Sequence, residues 1–194
     1  MSFGTWNVRG ISGKNIELIE EAKKYKIDLL GITETKQKGQ FYETINGYKI
    51  IYSGVDKTQH AKAGVGLVIR EELFEDSDYN YINERLLELN IELKNRNIKV
   101  IVAYGPNESD AKEQRENFYT ALQTIIDNAK PNQEIMILGD LNAKVGKNAE
   151  INCGAIGKEG ESEVSVNGEL LLDLCIRNNL KIANTFFKHK DIHK

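Results

Sequence analysis

The chain is poor in the residues that interrupt or staple a fold. It has two prolines and two cysteines in 194 residues, and its 16 glycines follow no period. Collagen-like, linker-like and low-complexity classes are thereby excluded. Cys153 and Cys175 lie far outside any C-x-x-C spacing, so they supply neither a dithiol redox motif nor half of a zinc cluster. Cys175 falls among apolar helix residues, where a buried free thiol is ordinary, and a reducing compartment is expected. Histidine is scarce too, limited to His60, His189 and His193, which argues against zinc. No run approaches 18 consecutive apolar residues, and the opening Met-Ser-Phe-Gly-Thr-Trp lacks a basic segment followed by an apolar one. Neither a membrane span nor a signal peptide is expected. Nor is there an excess of one charge: 26 basic against 29 acidic residues leave a net charge of −3. No bulk field draws such a chain to nucleic acid or to an anionic membrane, so a polyanion must be met through a local patch or a bound cation.

What remains is an ordinary globular composition, 40% hydrophobic and 28% charged. At a rough ~150 residues per domain the length predicts a single domain over 1–194. Such a chain buries about 70% of its unfolded surface without needing metal or disulfide. Short β-rich runs alternate with helical ones. Phe3 to Val8 reads as a strand, then a helix capped by Ser12 with Ile16, Ile19 and Ala22 on one face. Asp28 to Thr33 is a buried strand, and Lys36 to Gly47 a polar stretch. Strands follow at Tyr48 to Tyr52, Gly64 to Arg70, Asp78 to Ile82, Leu86 to Leu93 and Ile98 to Tyr104. Leu87, Leu89, Ile91 and Leu93 alternate with polar neighbours, as in a strand with one wet face, and Lys94 to Asn97 suits a hairpin turn. Asp110 to Glu113 resembles a capping box and opens a helix carrying Phe118, Leu122, Ile125, Ile126 and Ala129, stopped by Pro131. A strand at Ile135 to Leu138 runs into Gly139-Asp140-Leu141-Asn142. A long loop, roughly Ala143 to Ser165, precedes a helix with Leu170, Leu171, Leu174 and Cys175, and Leu180 to Asn184 reads as a last strand.

Several polar residues stand at the C-terminal ends of buried strands, where α/β architectures place ligands. Asn7, Glu34, Tyr104, Asp140 and Asn142 all do so. A carboxylate at the end of an apolar strand must be paired, protonated or bound to a cation. Two carboxylates with two carboxamides and a phenol suit a hard cation, Mg²⁺ or Mn²⁺. Each residue alone has a plainer reading: loop pairing for Asn7, an ion pair with Lys36 or Lys38 for Glu34, an Asx turn for Asp140 and Asn142, strand-end packing for Tyr104.

Four motifs occur in order: Thr5-Trp-Asn-Val-Arg-Gly10, Ile32-Thr-Glu-Thr-Lys36, Ala103-Tyr-Gly-Pro-Asn107 and Gly139-Asp-Leu-Asn142. Together they resemble the endonuclease/exonuclease/phosphatase superfamily. Asn167-Gly-Glu-Leu-Leu-Leu-Asp-Leu-Cys175 and Asn184-Thr-Phe-Phe187 are similar to the apurinic-type endonuclease domain of non-LTR retrotransposons and their craniofacial-development-protein-2-like relatives. The resemblance implies an α/β fold, a four-layer sandwich of two mixed sheets packed face to face with outer helices. It implies Mg²⁺, with Mn²⁺ as the alternative, DNA as partner, and an intracellular, nuclear protein. Glu34 corresponds to the metal-binding glutamate, with Asn7 assisting at metal and phosphate. Asp140 corresponds to the aspartate that orients or deprotonates water, Asn142 to the residue positioning it or the scissile phosphate, and Tyr104 to the phosphate-contacting tyrosine. Asn107, Lys36 and Asn184 are the implied substrate-binding residues. Arg70 and Arg96 are further cations of the kind that line a groove or form a solvated face.

In that family the chain continues past Phe187 to a closing Ser-Asp-His motif. These 194 residues contain none, and Asp191-Ile-His193 echoes it only superficially, reading as a solvated tail. The expectation is a sandwich lacking its last strands, open to a further segment or another chain, and impaired in hydrolysis. Two other readings follow from the same residues: a domesticated fold serving as a binding module, and a superfamily member acting on an inositol phosphate or sphingomyelin head group. Glu34-Thr-Lys36 and Tyr104-Gly-Pro-Asn107 favour the nucleases over the latter.

Overall fold

The computed structural model describes residues 1–74, 77–149 and 151–188. Its contacts divide into two compact units. One comprises Met1–Tyr104 with Asn128–Asp140, the other Gly105–Asp127 with the residues from Leu141 onward.

The first unit holds two mixed sheets. Strand β1 (Phe3–Asn7), helix α1 (Asn15–Lys24) and β2 (Leu29–Thr33) form a crossover that leaves β1 and β2 parallel. β3 (Gln40–Ile45), β4 (Tyr48–Ser53) and β5 (Val65–Arg70) join antiparallel, giving the order β1-β2-β5-β4-β3. A single helical turn, α2 (Glu71–Phe74), leads to β6 (Ser77–Asn83), β7 (Leu86–Leu93), β8 (Arg96–Tyr104) and β9 (Glu134–Asp140), ordered β6-β7-β8-β9 with β8 and β9 parallel.

Alternation along the strands sorts the side chains into two apolar layers. Leu29, Ile51, Leu67 and Ile69 of the first sheet pack face to face with Leu87, Leu89, Val100, Val102 and Leu138 of the second. The intervening residues Leu30, Ile32, Ile50, Tyr52 and Val68 point the other way, onto Leu18, Ile19 and Ala22 of α1. α1 is therefore an outer layer on the first sheet. Its start differs from the expected one: Lys14 occupies the N-cap, with no side-chain capping bond, and Ser12 lies two residues outside.

β3 falls within the stretch read as merely polar. It is an edge strand whose side chains are mostly exposed or half-buried, so it lacks an apolar alternation. Asn46 and Gly47 connect it to β4 with φ of 51° and 79°, the type I′ geometry that matches strand twist. That Asn-Gly pair was the available signal. β7's second face is wet at its far end, where Glu92 is exposed, but largely covered before it. Glu88 is buried there and pairs with buried Lys99, while Asn90 donates to Glu88 at 3.0 Å. A buried charge pair is tolerable when its remaining valences are met in this way.

The second unit holds α3 (Lys112–Asp127) and α4 (Val166–Arg177). Phe118, Leu122, Ile125 and Ile126 are buried along α3, and Leu171, Leu172, Leu174 and Cys175 along α4. Gln123 and Asn178 exchange hydrogen bonds of 2.9 and 2.7 Å between the two helices. The reciprocal half of a capping box does form at α3, one residue later than read: Gln114 accepts from the Ala111 N–H at 3.3 Å, while Asp110 accepts from Asn107 N–H. Ser165 caps α4 by accepting from Gly168 N–H. The loop before it is pinned by a bridge between Val145 and Val164 and by buried Ala155 and Ile156.

Leu180 to Asn184 is not a strand. Ile182 N–H donates to Ala155, Thr185 Oγ accepts from Gly157 N–H, and Ala183–Phe186 turns as a 3₁₀ helix. With backbone groups satisfied by the 155–159 loop, no ladder is needed. His189, Asp191 and His193 lie outside the described residues. No helix among the described residues is long and apolar enough to cross a membrane.

Two outcomes check this packing. Cys153 is exposed, whereas Cys175 is buried and burial pushes its thiol up to about 11. A thiol reagent at pH 8 will modify one equivalent in the native chain and the second only in denaturant; rapid reaction of both would contradict the placement of α4. Leu89→Ala, at a fully buried position between the sheets, will lower stability by about 2–5 kcal/mol in urea titration.

Candidate active site

The two crossovers determine where chemistry can sit. β1 and β2 run in one direction, as do β8 and β9, so each parallel pair presents two C-terminal ends together. Asn7 ends β1 and is registered with Thr33, directly before Glu34. Tyr104 ends β8 and is registered with Asp140, the last residue of β9. Side chains from both pairs meet.

The Asn7 carboxamide nitrogen donates to Glu34 Oε1 at 2.8 Å and to Asp140 Oδ2 at 2.9 Å. The Tyr104 hydroxyl donates to the same Glu34 oxygen at 3.2 Å. Asn7, Glu34 and Asp140 are half-buried and Tyr104 is buried. Asn7 Oδ1 faces away and accepts from Arg9 N–H at 3.2 Å. In this arrangement Asn7 bridges the carboxylates through its nitrogen and does not offer them, or a cation between them, its oxygen.

Glu34 reaches the cluster from a left-handed backbone, φ 53°. That costs a residue with a Cβ about 1–2 kcal/mol, so neighbouring bonds must hold it. Its carbonyl accepts from Gly10 N–H at 2.8 Å, and the next two N–H groups, of Thr35 and Lys36, donate to Gly64 and Ala63 at 3.0 Å each. Gly64, φ 114°, is what admits this contact: a Cβ there would lie 2.4 Å from Thr35 Oγ1. Its own N–H donates to Glu84 at 3.1 Å, which ties the clamp to the β6–β7 turn.

That turn contributes a residue the sequence reading passed over. Arg85 places its guanidinium carbon 5.2 Å from the centre of the Tyr104 ring and donates to the Tyr104 carbonyl at 3.2 Å. Its own carbonyl accepts from Tyr104 N–H at 2.9 Å. Arg85 thus grips Tyr104 at ring and backbone. Its position in a Glu-Arg turn between two strands carries no motif; the contact exists only once β6, β7 and β8 are paired.

The remaining candidates are placed differently. Lys36 is exposed two residues past Glu34, at φ 55°. Asn142, Asn107 and Asn184 belong to the second unit. Asn142 follows Asp140 by two residues, at φ 48°, with its carboxamide donating to the Gly105 carbonyl at 2.8 Å. Asn107 is exposed at the start of a turn closed by Asp110, and Asn184 is exposed in the 3₁₀ turn.

The donor chemistry of the cluster fits a hard divalent ion. No group of three or more His, Cys, Asp or Glu able to hold a metal is found among the described residues. Mg²⁺, however, is commonly held by one or two carboxylates, its other positions filled by water and substrate phosphate. Glu34 and Asp140, both within reach of one nitrogen, supply such a pair.

Comparison with known proteins bears on the family and the fold. The model of the Endonuclease/Exonuclease/phosphatase family matches residues 4–149. Craniofacial development protein 2 of Tragulus javanicus is 31% identical over 187 residues, 95% of this chain and 32% of that protein. The chain spans about a third of the length of the curated relatives it matches. Among solved structures, the AP endonuclease LMAP from Leishmania major superposes with a TM-score of 0.63 at 14% identity, covering 90% of this chain and 66% of that one. The endonuclease domain of TRAS1, a telomere-specific non-LTR retrotransposon, gives 0.59 at 16% identity over 90% and 70%. Likeness at such low identity speaks for the fold, an α/β sandwich built on two mixed sheets, as the resemblance implied. The match over residues 4–149 spans the strand-end residues Asn7, Glu34, Tyr104, Asp140 and Asn142, and the chain belongs to the endonuclease/exonuclease/phosphatase family.

Proposed function

We propose that the chain hydrolyses phosphodiester bonds in DNA with a divalent ion, Mg²⁺ or Mn²⁺, acting in the nucleus. The observation that carries the reading is the Asn7 carboxamide held between Glu34 and Asp140. A phosphodiester repels nucleophiles through its own negative charge, and an ion at Glu34 supplies the neutralising charge and a more acidic water. Asp140 orients the attacking water and takes its proton at a carboxylate oxygen. Asn7 keeps that carboxylate and Glu34 in fixed relation, so neither reorganises as charge develops. Tyr104, gripped by Arg85, directs its hydroxyl to Glu34 and, with phosphate bound, to a phosphate oxygen. Lys36, Asn107, Asn142 and Asn184 are the proposed contacts to substrate. Contacts to phosphate position a protein on DNA without reading bases, so no sequence preference is assigned. DNA as substrate is supported by the endonucleases among the structural neighbours.

The second reading is a binding module of the same fold that holds DNA without hydrolysing it.

Nicking of supercoiled plasmid, with Mg²⁺ or EDTA, separates the readings. Ion-dependent nicking that falls by about a hundredfold or more in both Glu34→Ala and Asp140→Ala supports hydrolysis. A folded chain that shifts DNA in a gel without nicking it supports the module. Gly64→Ala tests the clamp: the added Cβ displaces Thr35 and with it Glu34, costing about 2 kcal/mol of stability. Nicking then drops at least as far as in Tyr104→Phe, and an unchanged rate would mean that the left-handed Glu34 is not needed.

A further inference from the structure

The motif Asn167-Gly168-Glu169-Leu170 opens α4, and nothing in the site described so far uses it. Asn167 is nonetheless a buried polar residue of the second unit with several hydrogen bonds. It has no exposed surface. Its carboxamide nitrogen donates to the Pro106 carbonyl at 2.7 Å and to the Asn142 carbonyl at 3.1 Å. Its backbone N–H donates to Glu108 Oε1 at 2.9 Å, and its carbonyl accepts from the Tyr119 hydroxyl at 3.0 Å.

The two carbonyls it gathers belong to different loops. Pro106 stands two residues past Tyr104 and Asn142 two residues past Asp140, so these are the segments that leave the ends of β8 and β9. The loops touch directly as well. Asn142 donates its own carboxamide to Gly105, and Gly105 lies so close to Leu141 that a Cβ would come within 2.2 Å of the Leu141 carbonyl oxygen. Asn142 is thus fixed at two points. Its side chain is held by the Gly105 carbonyl, and its left-handed backbone by Asn167.

Only asparagine meets the demand at this position. Two neighbouring carbonyls must be satisfied from one side chain, which requires an NH₂ group. Aspartate has the same shape but no donor. Serine is shorter and has one, and glutamine adds a methylene where there is no free surface. Among the described residues Asn167 Oδ1 has no hydrogen-bond partner. What the position needs is the donor end.

We propose that Asn167 is a positioning residue that acts through Asn142: it locks the Asn142 backbone to the Pro106 loop and so fixes where the Asn142 carboxamide is presented. The functional half of this assignment rests on the nuclease reading, whereas the structural half does not. Without the clamp, Asn142 relaxes from its left-handed conformation and its carboxamide leaves Gly105.

The test uses the 194-residue chain with Asn167→Asp, Asn167→Ser, Asn142→Ala and the Asn142→Ala/Asn167→Ser double variant. Circular dichroism and a ¹H–¹⁵N correlation spectrum first establish the fold of each; should the serine variant fail to fold, the isosteric Asn167→Asp carries the measurement. In the wild type the Asn142 side-chain amide will be protected from solvent exchange. In either Asn167 variant that exchange will accelerate at least tenfold, with resonance changes confined to residues near 105–108 and 141–145. Unchanged exchange at Asn142 overturns the proposal whatever the catalytic result. In plasmid nicking, Asn167→Ser will lower kcat ten- to a hundredfold with KM within about twofold, and the double variant will be no slower than Asn142→Ala. Multiplicative losses in the double variant would overturn action through Asn142. A wild-type chain that shows the amide behaviour but no ion-dependent nicking would overturn the nuclease reading and leave the clamp standing.

Discussion

One amide nitrogen ties the candidate site together. Asn7 Nδ2 donates to carboxylate oxygens from two different sheets, 2.8 Å from Glu34 and 2.9 Å from Asp140. Two carboxylates brought this near repel each other unless a donor or cation stands between them. The amide is that donor in the protein by itself, and it is neutral, so it reduces the repulsion without cancelling the negative charge. The pair therefore keeps its attraction for a cation. Had a lysine bridged the pair, the charge would be satisfied internally and little would be left to recruit an ion.

That bridge depends on strand direction more than on local sequence. β1 and β9 lie in different sheets, and their ends meet because the sheets pack face to face and both parallel pairs point the same way. Each pair is made by a connection that leaves the sheet and returns, through α1 between β1 and β2 and through α3 between β8 and β9. An antiparallel hairpin in either place would send one of the four candidate residues to the opposite end of the sandwich. The buried pair Glu88–Lys99 links β7 to β8 and so bears on the register of that antiparallel pair, in which Leu86 lies opposite Ala103, next to Tyr104.

How much of this was legible in the sequence varies with the reach of the interaction involved. Asn7, Glu34, Tyr104 and Asp140 stand out from the chain alone, because each is a polar residue closing an apolar run. Their burial and strand ends follow from local pattern. β3 escaped because an edge strand buries little and so leaves no alternation to read, though Asn46-Gly47 marked its turn. Leu180 to Asn184 misled for the opposite reason: it is apolar enough for a strand, yet its backbone groups are met by the 155–159 loop. Arg85 was invisible because a lone arginine in a turn has no periodicity, and its role arises from the pairing of strands that its own neighbours do not specify.

The left-handed residues show where stability and arrangement diverge. Glu34 and Asn142 both adopt φ near 50°, which side chains with a Cβ avoid, and each is restrained by hydrogen bonds to loops distant in sequence. The restraints are of two kinds. At Glu34 the clamp is backbone to backbone, with Gly10, Gly64 and Ala63 supplying it, so glycine is needed where chains approach. At Asn142 a side chain supplies it, and the chain accepts an unpaired buried oxygen on Asn167 to do so. Backbone clamps tolerate change in side chains so long as the approach stays open, whereas the side-chain clamp admits one residue type. Strain retained at Glu34 is consistent with a residue whose direction matters more than its contribution to folding, whereas asparagine at Asn142 enters the left-handed region with little strain.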